Sequence, residues 1–384
     1  MIQGNFIQAD CIHRLSSLMC PHEIEEKNDA EAENLTVKIY NFGGRDLEET
    51  DDFSKNKKFL PGKYLSFKPD ITYLDANLSG CDKQCLKAHT NVTNVAQFIN
   101  DVLQHTSSNG EEVIYISSIN CKLNNAGWLK PLSDRPAQTI FGQCNVNGQL
   151  RSYAVAQDMV AHEFFHGLNY QTVGFDSLER SGRHGFDYRG ESGSLDESYA
   201  DIFAILFSNY NELNIQQWIW EIGQGFGEEG RPIRDLSNPS KYNQPEHMDH
   251  YCYYSPLERA EKHNDWLGVH YNSGIHNKVA YNLLTCKNAS GEYIFDARTV
   301  AIIFYLALKD LRPTSLFKDS YIAVQQAAKT LFRNDPHMRE KLKAISEAFK
   351  KVGIDDSSPG ILKRIRYAIL RAWSRSRGHS RTCE

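Results

Sequence analysis

The sequence lacks the marks of several large classes of protein. No stretch reaches the roughly 18 consecutive apolar residues that a membrane-spanning helix needs. The N-terminus has no basic segment followed by a continuous apolar one, so no classical signal peptide is expected. The net charge of −5 is too small to make nucleic acid the expected main partner. We therefore expect a protein that is cytoplasmic or exported by a non-classical route, as a bacterial effector would be.

Internal repeats and long low-complexity runs are also missing, and the 41% of apolar residues can form two lobes. Residues 36–155 contain β-branched strand patterns such as "LTVKIYNF", whereas residues 156–354 show helical spacing, as in "SLDESYADIFAILFSNY". The sequence thus predicts an α+β fold with a strand-rich lobe followed by a helical lobe. Residues 1–35 form an N-terminal extension, and residues 355–384 form a basic amphipathic C-terminal extension.

The stretch "AHEFFHGLNY" carries two histidines four positions apart, with a glutamate after the first. On a helix, His162 and His166 project from one face about 6 Å apart, so both imidazoles can bind one Zn²⁺ beside Glu163. The alternative is a core helix whose histidines are merely hydrogen-bonded. A third ligand is needed to decide between the two.

A second helical stretch, "GSLDESYADIFA", supplies a candidate third ligand. Glu197 and Asp201 lie one turn apart within an apolar helical pattern, and burial of carboxylates without partners would be costly. Zinc coordination by Glu197 and a hydrogen bond between Asp201 and a ligand histidine would satisfy both groups. Two histidines and one glutamate leave a fourth position open, which is the catalytic pattern of zinc ligation.

Several further motifs follow in an order that identifies a family. "DMVAHEFFH", "ESGSLDESYADIF", "WEIG", "IRDLSNPSKY", "GVHYNSGIHNKVAY" and "EAFKKVGI" together resemble thermolysin-like zinc metalloendopeptidases, from about Asn125 to Ile354. The resemblance implies a two-lobe fold with one catalytic zinc ion in the cleft between the lobes. It implies that the zinc ligands are His162, His166 and Glu197.

The resemblance also implies the catalytic groups. Glu163 would be the general base, which takes a proton from zinc-bound water and later passes it to the leaving amine. His270 and Tyr188 would stabilise the tetrahedral oxyanion, and Asp265 would hold the imidazole of His270. An insertion over residues 176–186, just before Tyr188, departs from the family pattern, and it is either a lid or a tolerated surface loop.

Other positions match groups that support the ligands or bind substrate. Asp201 would orient His162, and Asp196 would orient His166 unless it is a solvent-exposed acid at a helix N-terminus. Asn125, Ala126 and Arg234 match positions that bind the peptide backbone.

Three apolar residues match the wall of the pocket for the residue after the cut bond: Met159, Ile222 and Ile233. Their character predicts a neutral metalloendopeptidase that favours hydrophobic residues on the carboxyl side of the cut. The alternative function is a catalytically silent thermolysin-like zinc protein that binds a protein partner. The presence of Glu163 and His270 argues against it, since metal binding alone does not require them.

Family members often carry a double calcium site beside the active-site helices, and here only Asp158 and Glu221 remain of its acids. The other matching positions are Ser208, Ile219, Gln224 and Gly225. These residues cannot supply the oxygen-rich cage that Ca²⁺ requires. The sequence therefore predicts that the calcium site is absent.

The two extensions carry the remaining predictions. Residues 1–35 are similar to the short prosegment of protealysin-like members, which predicts a zymogen. In residues 359–384, apolar positions share one helical face and cations occupy much of the rest. That segment either binds an anionic membrane or acidic partner, or docks on the acidic body of the protein. Otherwise we expect a monomer whose partners are protein or peptide substrates and do not include nucleic acid.

Overall fold

The computed structural model describes residues 36–42, 63–65, 80–105, 114–133, 135–146, 148–174, 184–255 and 257–355. The predictions for residues 1–35, for most of the 176–186 insertion and for the basic tail fall outside these ranges. In the part of the chain that is described, no helix is both long and apolar enough to cross a membrane.

The first compact unit is built on a mixed sheet. It contains the described residues up to Gly167, together with Leu206–Tyr210 and Ile222–Ile233. Its strands are β1 Thr36–Asn41, β2 Lys63–Leu65, β3 Ile114–Cys121, β4 Ala126–Leu129, β5 Gln138–Val146 and β6 Gln149–Ser152. Their order is β2-β1-β3-β5-β4, and β6 also pairs with β5. The pairs β1–β3 and β3–β5 are parallel, and the other pairs are antiparallel.

The central strand β3 is buried along its length except at Ile114, because it has neighbours on both edges and helix α1 packs against it. Helix α1 spans Gly80–Asp101 and buries an apolar stripe that includes Val92, Val95 and Ile99. The strand-rich first half of the prediction is therefore confirmed.

The second compact unit is helical. It contains the described residues of Leu168–Ile205 and Asn211–Glu221, and those from Arg234 onwards. The helices of the chain after α1 are α2 Gln157–Thr172, α3 Gly190–Ser208, α4 Asp265–Leu284, α5 Ala297–Asp310, α6 Phe317–Leu331 and α7 Met338–Lys350. Helix α5 is buried on all sides from Thr299 to Leu308 and packs against α6, which in turn packs against α7.

The predicted α+β class, strand-rich first and helical second, is confirmed by this order of elements. The predicted lobe limits of 36–155 and 156–354 stay a prediction. The compact units interleave along the chain, and both α2 and α3 contribute residues to each of them.

Candidate metal centre and catalytic site

Helix α2 presents two imidazoles to one point. His162 and His166 lie one turn apart, and their Nε2 atoms are 3.1 Å from each other. The rings are nearly perpendicular, with centroids 4.6 Å apart. His162 is buried and His166 half-buried. The predicted i, i+4 pair on a helix is therefore present, with both nitrogen atoms directed to the same place.

Glu197 completes this group from helix α3. Its side chain is buried, and the ligand atoms of His162, His166 and Glu197 all lie within 4.8 Å of one another. Two imidazole nitrogens and one carboxylate oxygen form the donor set that Zn²⁺ takes in catalytic sites. A buried carboxylate beside two imidazoles is also costly unless a cation balances it. The three residues therefore fit a zinc ion.

Glu163 is buried next to His162 on the same helix. A buried acid that adjoins a metal ligand is well placed for proton transfer to and from groups bound at that metal. Its role as the general base stays a prediction.

The structure brings Tyr188 and His270 together at Glu197. The Tyr188 hydroxyl donates a hydrogen bond to Glu197 Oε1 and lies 3.3 Å from His270 Nε2. The same nitrogen of His270 is 3.2 Å from Glu197 Oε1. The two groups predicted to stabilise an oxyanion thus lie side by side at a predicted zinc ligand.

Asp265 fixes the imidazole of His270. One carboxylate oxygen is 2.5 Å from His270 Nδ1, and the other accepts the backbone N–H groups of His270 and Tyr271 at 2.9 and 3.0 Å. A carboxylate at Nδ1 requires that nitrogen to carry a proton, which leaves Nε2 directed towards Tyr188 and Glu197. This arrangement agrees with the orienting role that the resemblance implies for Asp265.

The surroundings of His270 and Tyr188 favour the protonated form of each group. Burial lowers the pKa of His270, but the carboxylates of Glu197 and Asp265 outweigh it, so the net pKa is raised. Burial of the phenol and the nearby carboxylate of Glu197 raise the pKa of Tyr188 well above its ordinary value. Each group can therefore donate a hydrogen bond to a developing negative charge.

Asp201 is fully buried and holds two other polar side chains. Arg234 donates to its two oxygens from Nε and Nη2, at 2.8 and 2.7 Å, and Asn277 Nδ2 donates at 2.8 Å. The pair orients the guanidinium of Arg234, the predicted substrate-binding group. The sequence analysis missed both this pair and Asn277. The predicted bond between Asp201 and His162 stays a prediction.

Asp196 is half-buried in the second turn of α3, so it is not an exposed acid at the N-terminus of that helix. Asn169 Nδ2 donates to its carboxylate at 2.7 Å and to its backbone oxygen at 3.0 Å. Asn169 lies three residues after His166 on α2 and was missed by the sequence analysis. The predicted orienting of His166 by Asp196 stays a prediction.

The three predicted pocket residues meet around Gly223. A Cβ at this glycine would lie 2.6 Å from Ile233 Cδ1 and 3.2 Å from Met159 Sδ. The backbone N–H of Ile233 donates to the carbonyl of Ile222 at 2.8 Å. Gly223 has a φ of 68°, and a Cβ there would collide with the side chain of Ile233, so the position requires glycine. Met159, Ile222 and Ile233 are therefore neighbours, as a shared pocket requires.

Asn125 and Ala126 lie at the start of β4, which is the last strand in the sheet order. Asn125 is exposed and its carbonyl accepts the N–H of Gly142 at 2.9 Å, whereas Ala126 is buried and pairs with Phe141. An amide side chain at a sheet edge is well placed to bind an extended peptide.

The two acids left at the predicted calcium positions have protein partners. Glu221 Oε1 accepts Lys241 Nζ at 2.5 Å and the Tyr242 hydroxyl at 2.9 Å. Asp158 Oδ2 accepts the backbone N–H of Gly223 at 2.6 Å, and burial raises the pKa of Asp158.

Comparison with known families agrees with the fold and with the cluster of ligands. The sequence profile described as the thermolysin metallopeptidase catalytic domain matches residues 24–169. The profile of the thermolysin metallopeptidase alpha-helical domain matches residues 184–354. The two matches together extend over most of the chain. The chain therefore belongs to the thermolysin-like metallopeptidases, and the family implies zinc at the cluster of His162, His166 and Glu197.

Individual relatives are similar over most of this chain. A zinc metalloproteinase of Listeria monocytogenes is 30% identical over 80% of this chain and 52% of its own length. Neutral protease NprE of Bacillus pumilus is 29% identical over 74% of this chain and 81% of its own length. A bacillolysin of Bacillus subtilis is 29% identical over 74% of this chain and 47% of its own length. The chain therefore spans about half the length of this relative and of the Listeria metalloproteinase.

Among solved structures, the fold is similar to that of the precursor of protealysin, a metalloproteinase from Serratia proteamaculans. The TM-score is 0.60 at 20% identity, and the match covers 90% of this chain and 98% of that one.

Proposed function

We propose that the chain is a zinc-dependent neutral endopeptidase that hydrolyses internal peptide bonds. The observation that carries this proposal is the convergence of His162, His166 and Glu197 within 4.8 Å. Membership of the thermolysin-like family supports it. A bound zinc ion would supply Lewis-acid chemistry, which polarises a carbonyl group and lowers the pKa of water.

The chain's own residues would perform the proton transfers and stabilise the transition state. Glu163 takes a proton from the attacking water and delivers it to the leaving amine. His270 and Tyr188 donate hydrogen bonds to the oxygen that becomes negative, and Asp265 orients the imidazole and stabilises its protonated form, in which Nε2 is a donor. No covalent bond between enzyme and substrate is required.

We further propose that the substrate is an extended peptide that is cut before a hydrophobic residue. Asn125 and Ala126 at the edge strand, and Arg234 held by Asp201, offer groups that bind the peptide backbone. The contacts of Met159, Ile222 and Ile233 around Gly223 support an apolar pocket for the residue after the cut. The absence of a calcium double site is also proposed, and the protein partners of Asp158 and Glu221 support it.

The test of the proposed function is mass-spectrometric mapping of peptides that the purified, zinc-loaded protein releases from a denatured protein mixture. Glu163→Gln serves as the matched variant, because it keeps the size of the side chain and removes its basicity. We expect cuts before hydrophobic residues with the wild type and none with the variant, although both bind one zinc ion. Cuts only before charged residues or glycine would refute the pocket. Zinc binding without any cutting by the wild type would favour a silent zinc protein that binds a partner.

The compartment and the extensions remain proposals that rest on the sequence alone. We propose action in the cytoplasm or after non-classical export, with residues 1–35 as a short prosegment and residues 359–384 as a contact for an anionic membrane or an acidic partner. Liposome co-sedimentation with and without residues 359–384 tests the last of these. Equal sedimentation of both forms would exclude membrane binding by residues 359–384.

A further inference from the structure

The chain forms a left-handed turn immediately before His270. Asp265, Trp266, Leu267 and Gly268 have φ values of 52°, 46°, 69° and 79°. Only glycine adopts this conformation without steric strain, because a Cβ comes too close to the following carbonyl oxygen. Three successive residues with side chains therefore hold a conformation that L-residues avoid.

Hydrogen bonds hold this turn at both ends. The Trp266 N–H donates to the Glu261 carbonyl at 2.9 Å, and the Leu267 N–H donates to Asn264 Oδ1 at 3.3 Å. At the other end, the carboxylate of Asp265 binds the backbone and the ring of His270. Strain that the surrounding structure holds in this way is concentrated at functional sites in proteins.

The consequence of the turn is the position of the Trp266 indole. Its ring centroid lies 5.8 Å from that of Tyr188 and 6.5 Å from that of His270, with interplanar angles of 64° and 62°. The Tyr188 and His270 rings are themselves 6.3 Å apart at 77°. The three rings thus contact one another edge to face, the arrangement that aromatic quadrupoles favour.

Hydrogen bonds hold the polar ends of both rings, with the Tyr188 hydroxyl on Glu197 and His270 Nδ1 on Asp265, but both side chains are only partly buried. Tyr188 is 37% exposed and the side chain of His270 is 42% exposed. A ring contact adds to these hydrogen bonds, and oxyanion donors must be held in place before the reaction begins. The half-buried indole contacts both rings at once.

We propose that Trp266 is a positioning residue that holds Tyr188 and His270 for stabilisation of the oxyanion. The strained turn is retained because it brings the indole to both rings. This inference rests on the proposed function. It adds a residue outside the zinc ligands, the base and the oxyanion donors.

The test compares three variants: Trp266→Ala, Trp266→Gly and Trp266→Phe. Alanine and glycine both remove the ring, but only glycine relieves the strain at φ 46°. We expect kcat to fall about tenfold in both, with KM within about twofold, since misplaced donors weaken the transition state more than substrate binding. Phenylalanine keeps an aromatic edge and should restore most of kcat. All three should bind zinc as the wild type does.

Leu267→Gly is the matched control, because it relieves strain in the same turn and leaves the three rings in place. We expect its kcat to equal that of the wild type and its Tm to rise. If Trp266→Ala keeps the wild-type kcat, or if Trp266→Gly recovers it, the ring has no positioning role and the inference fails. An equal loss of kcat in Leu267→Gly would show that the effect comes from the backbone of the turn, and this result would also overturn the inference.

A binding measurement separates failure of this inference from failure of the proposed function. The probe is a phosphinic peptide with a leucine side chain after the phosphorus, whose tetrahedral anion resembles the transition state. We expect Trp266→Ala to weaken its binding about tenfold. If the wild type binds this probe but cuts no peptide, the proposed function fails while the positioning role is still decided by the variant. Unchanged binding by Trp266→Ala overturns the positioning role, whereas no binding by the wild type overturns the proposed function on which that role rests.

Discussion

Helix α2 and the turn that begins α4 both carry histidines predicted to act in catalysis, but the backbone presents them differently. In α2, His162 and His166 lie within a regular helix, and its period alone places them on one face. In α4, His270 follows four left-handed residues and depends on Asp265, Tyr188 and Trp266 for its placement. The pairing of the two imidazoles is thus encoded locally, whereas the addition of Glu197 from α3 and the placement of the oxyanion donors depend on tertiary contacts. Changes in the first region should abolish zinc binding, and changes in the second should slow turnover with zinc retained.

The largest expected effect follows loss of a ligand on α2. His166→Ala leaves two of three ligands, so we expect zinc affinity to fall by more than about 100-fold, since even outer hydrogen-bonding partners of a metal ligand contribute 10- to 100-fold. Peptidase activity should fall with it. His184→Ala, which removes an exposed histidine outside the cluster, is the control. Competition with a zinc-sensitive dye measures the affinity, and an unchanged affinity in His166→Ala would show that the cluster is not the zinc site.

A smaller effect is expected from the partner of His270. Asp265→Asn keeps the shape of the side chain but removes the negative charge at His270 Nδ1, so the protonated form of the imidazole is less stabilised and the pKa of His270 falls. We expect kcat to fall about 100-fold, as when one oxyanion donor is removed, with zinc content unchanged. Asp296→Asn is the matched control, because asparagine caps helix α5 as well as aspartate does. Loss of zinc from Asp265→Asn would contradict the separation of the two regions.

The same contrast explains what the sequence could predict. The α+β class and the zinc ligands follow from local periodicity, because i, i+4 histidines and a glutamate in an apolar helical pattern need no knowledge of the fold. Asn277 and Asn169 were missed because their partners, Asp201 and Asp196, are distant in sequence and only packing selects them. A signal was present in the amide side chains within otherwise apolar helical stretches.

The left-handed turn had no usable signal in the sequence. Trp266 and Leu267 have side chains that disfavour positive φ, so their local preference opposes the structure that they adopt. Such disagreement between preference and structure is expected at functional sites, where tertiary contacts override propensity. The family resemblance supplied His270 and Asp265, but it carried no information about the residues between them.

A second histidine on α4 gives a stability prediction. His276 is fully buried, with Nδ1 2.8 Å from Ser198 Oγ and Nε2 2.9 Å from Ser320 Oγ. Burial lowers the pKa of His276 to about 3, from 6.5 for the free side chain. The unfolded chain therefore takes up this proton first, so stability is complete above pH 6.5 and is lost as the pH falls towards 3.

The expected loss is about 2 kcal/mol between pH 6.5 and pH 5, from a slope of roughly 1.4 kcal/mol per pH unit. Urea unfolding of the wild type and of His276→Gln at both pH values isolates the loss of unfolding free energy that is due to His276, because all other groups are the same in the two proteins. The variant should be less stable at pH 7 but should lose less stability on acidification. Equal losses in the two proteins would show that His276 does not control the acid response.

The smallest effect is expected at the first turn of α2, where the sequence predicts that the calcium site is absent. Here Asp158 is held by the N–H of Gly223, and Glu221 is held by Lys241 and Tyr242. A cation would have to displace these donors at positions that offer few other oxygen ligands, so millimolar calcium should leave Tm unchanged. The measurement is a thermal scan with and without calcium in a zinc buffer that keeps the catalytic ion bound. A rise in Tm that saturates with calcium would mean that a second metal ion stabilises α2. The regular geometry of α2 would then depend on that ion as well as on the sequence of the helix and the zinc ion.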